Sequence, residues 1–289
     1  MADSEQLMAT WDWTLDGVPF GGTTSINVAE VEGWLDLPDV RIGDSPRAGQ
    51  HGLTMGEDFA AGRTIRFVLE TVAADADAAA AIVEALRAKL VFVAGDDGDI
   101  PLVGTTPGYP ALRALVRPRR RSNPLTWDSG IGAIRAVIEM VAADPRLYAD
   151  TSSSDSTALS TAVGGLDFSA VAPFVFGTGG SGNTMDCPND GTFPTPWVAT
   201  FTGPMVAPEL VHVDSGYRIT LSGATLAAGE TLVVDSLEHT ILLGGTASRY
   251  SWLAASSQWF NLDPGDNSVT LLGASGSGSV SMAWRSAWI

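Results

Sequence analysis

Few residues in this chain are of a type and spacing that could do chemistry. The three histidines, His51, His212 and His239, are far apart, and His239 falls in an expected strand whose neighbours read as structural. Chain order alone permits a Ser/His/Asp site, but no G-x-S-x-G or H-E-x-x-H spacing accompanies it. Cys187 is the sole cysteine, which excludes an intrachain disulfide and a cysteine-type zinc site. Asp96-Asp97-Gly98-Asp99 offers carboxylates to calcium, yet no glutamate follows at loop spacing, and Asp-Gly reads as a hairpin turn. Gly177-Thr178-Gly179-Gly180-Ser181-Gly182 matches G-x-G-x-x-G, but a dinucleotide fingerprint needs a helix to open at once. Asn183 to Pro196 shows no helical period, so a surface loop is the favoured reading. Trp252, Trp259, Trp284 and Trp288 could form an aromatic sugar platform; at alternating strand positions such residues are more often core. No catalytic, cofactor-binding or metal-ligating residue emerges, and the chain is not expected to be an enzyme.

Two stretches have the character of contact surfaces. Arg117-Pro118-Arg119-Arg120-Arg121 is the only basic cluster in a chain of formal net charge −17. Phosphate binding is conceivable there; a salt-bridged edge facing an acidic neighbour, such as another copy of the chain, is preferred. Gly43 to Gly62, with Gly49-Gln50-His51-Gly52 at its centre, is rich in Gly, Pro, Asp and Ala. It reads as a long loop or extended arm, a segment either disordered or held by something outside its own domain. Arg117, Arg119, Arg120, Arg121, Gly49, Gln50, His51 and Gly52 are therefore the candidate interface residues.

The elements that must position these residues are mostly strands. At 289 residues, 45% hydrophobic and 17% charged, the chain has core material for two ordinary domains. The acidic balance argues against a nucleic-acid-binding surface. The N-terminus lacks signal-peptide character and no long apolar stretch exists, which with one cysteine predicts a protein made and folded in a reducing cytosol, without a membrane span. Strands are expected at Trp11–Leu15, Ser25–Val31, Thr64–Glu70, Leu112–Arg117 and Gly132–Ala142, and one helix at about 75–91, opened by Asp75 and Asp77. Val91–Val93 and Ile100–Val103 read as a hairpin around the acidic turn. Beyond a boundary near Asp150, Thr151–Thr161 and Gly177–Gly191 read as loops. Short strands at Trp197–Thr202, Leu210–Val213, Tyr217–Leu221, Thr231–Asp235, Thr240–Leu243, Ser257–Leu262, Ser268–Leu272 and Ser279–Trp284 then suggest an antiparallel sandwich or jelly roll. The plainest local signal is Trp259–Leu272, read as strand, Asp263-Pro264-Gly265-Asp266-Asn267 turn, and strand.

In order and spacing, several fragments resemble the distal tail (minor tail) proteins of long-tailed, non-contractile phages, particularly those of actinobacterial hosts. They are Trp11-Asp12-Trp13 with Leu15-Asp16-Gly17, Val31-Glu32-Gly33-Trp34 with Pro38-Asp39-Val40-Arg41, Gly62-Arg63-Thr64-Ile65, Arg117-Pro118-Arg119 and Asp144-Pro145-Arg146-Leu147-Tyr148. In the second half they are Thr220-Leu221-Ser222-Gly223, Gly229-Glu230-Thr231-Leu232, Trp259-Phe260 with Pro264-Gly265-Asp266-Asn267, and Trp284-Arg285 with Ala287-Trp288.

The resemblance implies a mainly β protein with one helix. Residues 1–150 would be a ring-forming domain with an arm over about 43–62, and residues 151–289 a galectin-like sandwich. It implies a homo-oligomeric ring, hexameric or else trimeric, that joins the tail tube to the tip or baseplate. The major tail tube protein, the tape-measure protein and a tail-associated hub protein would be its partners, and viral DNA would pass through the lumen. An acidic lumen would repel phosphate and let DNA slide. A carbohydrate-binding module that attaches the tail to the host envelope is the alternative.

Overall fold

The structure, a computed structural model, describes residues 11–91, 99–124, 126–159 and 183–289. Among the described residues it is mainly β with one α-helix, and its chain divides into two compact units. One holds the residues up to Asp150 together with Trp288–Ile289; the other holds Thr151–Ala287. The last two residues, expected in the second domain, therefore fold with the first.

The first unit is built on β1 (Asp12–Leu15), β2 (Val18–Gly21), β3 (Asn27–Glu32), β4 (Val40–Arg41), β5 (Ser45–Pro46), β6 (Leu53–Thr54), β7 (Phe59–Ala60) and β8 (Arg63–Val72). Helix α1 (Ala76–Lys89) follows, then β9 (Ile100–Thr105), β10 (Leu112–Ser122), β11 (Ala133–Ala142) and β12 (Leu147–Ala149). The main antiparallel sheet runs β2-β1-β9-β10-β11-β8-β3, with β12 beside β10. One face is core: Trp13 packs edge-on against Trp34 and Phe67, with ring centroids 4.8 Å apart in both pairs. The other face carries charge in pairs, Arg66 with Glu32 at 2.9 Å and Arg135 with Glu70 at 3.5 Å. That division is the alternation expected of an antiparallel sheet covered on one side.

Helix α1 starts where an acceptor meets its free amides. Asp75 is the N-cap, its Oδ1 accepting from the Ala78 amide at 2.8 Å. Ala79 and Leu86 are buried against the sheet, while Ile82 and Val83 are half-buried. Lys89 in the last turn reaches Asp16 in the β1–β2 turn, at 2.5 Å. Of Val91–Val93, the expected hairpin partner of Ile100–Val103, residues 92 and 93 lie outside the described residues. β9 pairs instead with β1 and β10.

The second unit has β13 (Ser153–Ala158), β14 (Thr184–Asp186), β15 (Trp197–Thr202), β16 (Met205–Val206), β17 (Glu209–His212), β18 (Arg218–Thr220) and β19 (Thr225–Leu226). It continues through β20 (Thr231–Asp235), β21 (Thr240–Leu243), β22 (Ala247–Ser248), β23 (Ser268–Leu272), β24 (Ser275–Gly276) and β25 (Ser279–Trp284). A six-stranded sheet, β13-β25-β15-β20-β21-β22, and a four-stranded sheet, β14-β23-β17-β18, enclose one core. Phe201, Val234 and Met282 come from the first sheet, Met185, Leu210 and Leu271 from the second. This is an antiparallel sandwich.

Three local expectations fail here for physical reasons. Thr151–Thr161 is Ser/Thr-rich, yet Ser153–Ala158 forms a strand at the sheet edge, where the β25 ladder supplies its backbone partners. Part of Gly177–Gly191 is likewise strand β14. Trp259–Leu272 is not a hairpin: Ser268–Leu272 pairs with β14 and β17, and Leu262 bridges to Thr195. The turn residues mark a reversal correctly, but each arm finds a better partner elsewhere.

Cys187 is fully buried beside Met282. Burial first, then the nearby Asp155 and Asp186, push its thiol up to about 12. Iodoacetamide at mildly alkaline pH is therefore expected to leave the folded protein unlabelled and to modify Cys187 only as the second unit unfolds. Rapid labelling without denaturant, measured by intact mass, is the contrary result.

Candidate functional site

Among the described residues no three His, Cys, Asp or Glu side chains cluster as a metal site, and no helix is long and apolar enough to cross a membrane. The G-x-G-x-x-G match at 177–182 and Asp96-Asp97-Gly98 lie outside the described residues; Asp99 pairs with Arg117 at 2.8 Å. Chemistry gives way to surfaces, of which the arm is the most developed.

Gly43 to Gly62 is a hairpin ribbon, more regular than the loop its composition suggests. β4 pairs with β7 and β5 with β6, in two short ladders. Between them side chains replace the ladder: Asp44 Oδ1 accepts from the Gly56 amide at 2.9 Å and Asp58 Oδ1 from the Gly43 amide at 3.4 Å. The strands come so close that a Cβ on Gly56 would sit 2.0 Å from the Gly43 carbonyl oxygen. Gly49, Gln50, His51 and Gly52 form the exposed tip, with Gly49 and Gly52 at φ 70° and 102°.

Almost every arm residue is exposed, apolar ones included: Met55 is 78% exposed and Ile42 69%, while Leu53 and Phe59 are about half exposed. A two-stranded ribbon has no second layer on which to bury such side chains, and alone it is marginal in water.

The foot of the arm, by contrast, is fixed. Arg63, 1% exposed, follows the returning strand and donates from Nε to the Pro145 carbonyl at 2.8 Å. Its Nη1 donates to the carbonyls of Gly33, Trp34 and Asp36 at 2.9, 2.9 and 2.6 Å. Burial lowers the guanidinium pKa, opposed by Asp36. Ala61 closes the base by donating to Asp39, at 2.7 Å. Next to Pro145, Asp144 accepts from the Arg146 amide and from the Tyr148 hydroxyl, and Arg146 donates to that hydroxyl at 3.0 Å. Burial, then the Asp144 carboxylate, raises the Tyr148 phenol well above its ordinary pKa. Gly33-Trp34, Arg63 and Asp144–Tyr148, far apart in sequence, thus form one joint.

The arginines sit elsewhere. Arg117, Arg119, Arg120 and Arg121 lie where β10 runs along β11, beyond Val116, the last residue that it pairs with β9, and the register shifts between Pro118 and Arg120. A bulge of this kind re-aims side chains. Arg121 donates to the Arg87 carbonyl at 3.1 Å and Arg120 stands opposite Glu139. Arg119 and Arg120 are exposed. The structure does not join the arginines and the arm tip into one site.

A surface feature not anticipated from sequence is Trp127, 81% exposed, with Ile131 in the 3-10 turn that follows and Val72 at the end of β8. The signal lay in the sequence: a tryptophan in a Ser/Asn/Pro/Gly context, outside any alternating pattern.

The tryptophan platform does not form as written. Trp284 is buried and donates to the Pro188 carbonyl at 2.7 Å, Trp252 and Trp259 are partly buried against the second core, and Trp288 packs on the first. His239 is not in a strand but exposed in the β20–β21 turn, stacked on Trp259 with centroids 4.5 Å apart.

Residues 190–288 match the family model described as the Siphovirus-type tail component, C-terminal domain. No curated protein sequence matches the chain. In fold it is similar to the crystal structure of the phage SPP1 Dit (gp 19.1) protein, described as a paradigm of the hub adsorption apparatus in phages that infect Gram-positive bacteria. The TM-score is 0.64 at 13% identity, over 96% of this chain and 99% of that one. A chain of the phage P2 baseplate in its activated conformation, with calcium or with strontium, is similar at TM-score 0.49 and 11% identity, over 94% of this chain and 97% of that one.

Proposed function

We propose that this chain is a structural subunit of a phage tail tip, a distal tail protein whose first unit assembles side by side into a ring joining the tail tube to the tip or baseplate. The observation that carries this reading is the arm. It is an exposed ribbon bearing apolar side chains, anchored by a buried arginine, which projects a surface that only another molecule can cover. A closed ring gives every copy the same neighbour, so one heterologous arm contact suffices to build it. The family match of the second unit and the full-length likeness to the Dit fold support the same reading. A hexamer is favoured over a trimer. The tail tube protein, the tape-measure protein and a tail-associated hub protein are the partners, the virion tail tip is the location, and the role is not enzymatic. An actinobacterial host rests on the sequence resemblance alone.

Light scattering of the purified full-length chain across a concentration series tests self-assembly. The expected result is a discrete species of about 180 kDa, six times 30.1 kDa, or half that mass for a trimer. A monomer at every concentration would overturn assembly in isolation.

A further inference from the structure

The second unit contains a groove of about 410 Å³, a volume within the range of small-ligand sites. Its floor is a buried polar network. His212, 1% exposed, pairs through Nδ1 with Ser215 Oγ at 2.7 Å and through Nε2 with Asn267 Oδ1 at 3.0 Å. Asn267 in turn holds the backbone of Asp263, accepting from its amide and donating to its carbonyl. Ser215 accepts from the Tyr217 amide at 3.2 Å. One buried histidine therefore fixes two rims of the groove, the Tyr217 side and the Asp263 side.

The third rim is the β20–β21 turn. Asp235 Oδ1 accepts from the amides of Leu237 and Glu238, and the next residue, His239, takes the left-handed conformation at φ 52°. Few residues other than glycine take this backbone, and histidine is among those that do so most readily. It lays the imidazole flat on Trp259, within 14° of parallel. The groove thus presents an aromatic surface, formed by His239 on Trp259 and by Tyr217 (45% exposed), beside the exposed side chains of Asn261 and Asp263.

We propose that this groove binds a neutral saccharide, with the C–H face of a pyranose ring on the aromatic surface and its hydroxyls hydrogen-bonded by Asn261 and Asp263. Flat aromatic faces next to short amide and carboxylate groups suit a ligand that is apolar on one side and dense in hydroxyls around its edge. Charge selects the class further. Residues 151–287 carry eleven acidic side chains and three arginines. No arginine lines the groove; Arg218 pairs with Glu209, and Arg249 lies over Trp252. A phosphate-bearing polymer would meet Asp263 with no cation to offset it. The proposal stands on the second unit alone and does not rest on ring assembly.

Calorimetric titration of the full-length chain with short oligosaccharides of N-acetylglucosamine, galactose, mannose and rhamnose, and separately with poly(glycerol phosphate), tests it. At least one neutral oligosaccharide is expected to bind saturably. Tyr217→Ala and Asp263→Ala, both at exposed positions, should each weaken it about tenfold or more. Tyr250→Ala, exposed and outside the groove, should leave it unchanged. His239→Gly, which relaxes the backbone and removes the ring, should also weaken binding. No saturable binding below about 10 mM, binding indifferent to the groove variants, loss with Tyr250→Ala as large as with them, or binding of the phosphate polymer alone would each overturn the assignment.

Discussion

Replacing Ile42 and Met55 together by aspartate is expected to turn the assembled protein into monomers without unfolding it. Both side chains are among the most exposed apolar groups of the arm, and neither belongs to a core cluster. Surface substitutions of that kind usually move monomer stability by no more than about 0.5 kcal/mol. At an intersubunit contact the same side chains would each contribute about 1.5–3 kcal/mol by burial. Aspartate removes that gain and leaves a carboxylate to be desolvated. Two substitutions should thus weaken each contact by a factor on the order of a hundred or more, and symmetry repeats the loss at every interface of a closed ring. Light scattering for mass and thermal melting for stability read the two quantities separately. An oligomer of unchanged mass would show that the arm is not the contact, and a melting temperature lowered by many degrees would show that these side chains serve the monomer.

Replacing Arg63 by methionine is expected to cost about 3–5 kcal/mol of folding stability. Two effects oppose each other. Burial destabilises the guanidinium, as its lowered pKa shows, and methionine relieves that cost. Against this, the carbonyls of Gly33, Trp34, Asp36 and Pro145 lose their common donor. Each carbonyl left buried without a partner costs about 1–3 kcal/mol. The Trp34 bond is fully buried and the other three part-buried, and together their loss outweighs the relief of the guanidinium and of its unpaired Nη2, so the sign is a loss. Arg63→Lys should recover only part of it, because one ammonium cannot reproduce the planar fork that serves Pro145 from Nε and three carbonyls from Nη1. Urea denaturation measures both variants. A methionine variant within about 1 kcal/mol of the parent would mean that water replaces the clamp.

Much of the fold was legible because its signals are local. The Asp75 cap and the alternation in Trp197–Thr202, Thr231–Asp235, Thr240–Leu243 and Ser279–Trp284 appear at the expected residues, since each strand has one face on a core and one away from it. What failed depended on partners remote in sequence. Pro264-Gly265 specifies a reversal, but nothing within Trp259–Leu262 reveals that Leu262 will pair with Thr195. The segment reads from sequence as a loop or extended arm without its pairing, because a ribbon covered by no second layer needs no apolar period, and its Gly and Asp residues act through the Gly56–Gly43 approach and the Asp44 and Asp58 bridges. The joint at its foot was visible only as scattered fragments. Gly33-Trp34, Arg63 and Asp144-Pro145 carry the resemblance to distal tail proteins, and contact in space explains why those residue types are needed. The saccharide groove was half legible. Trp259 stood out, but its companions Tyr217 and His239 come from a different strand and a turn whose left-handed residue no pattern announces.

The return of Trp288 to the first unit has a consequence for synthesis. Its ring packs against a core otherwise supplied by residues before Asp150, yet ribosomes reach it only after the whole second unit. Trp288 is made only four residues after the last strand of the sandwich, so the first core gains this side chain as the second unit is completed. The final packing of the half with the exposed arm therefore depends on a side chain made after the whole second unit.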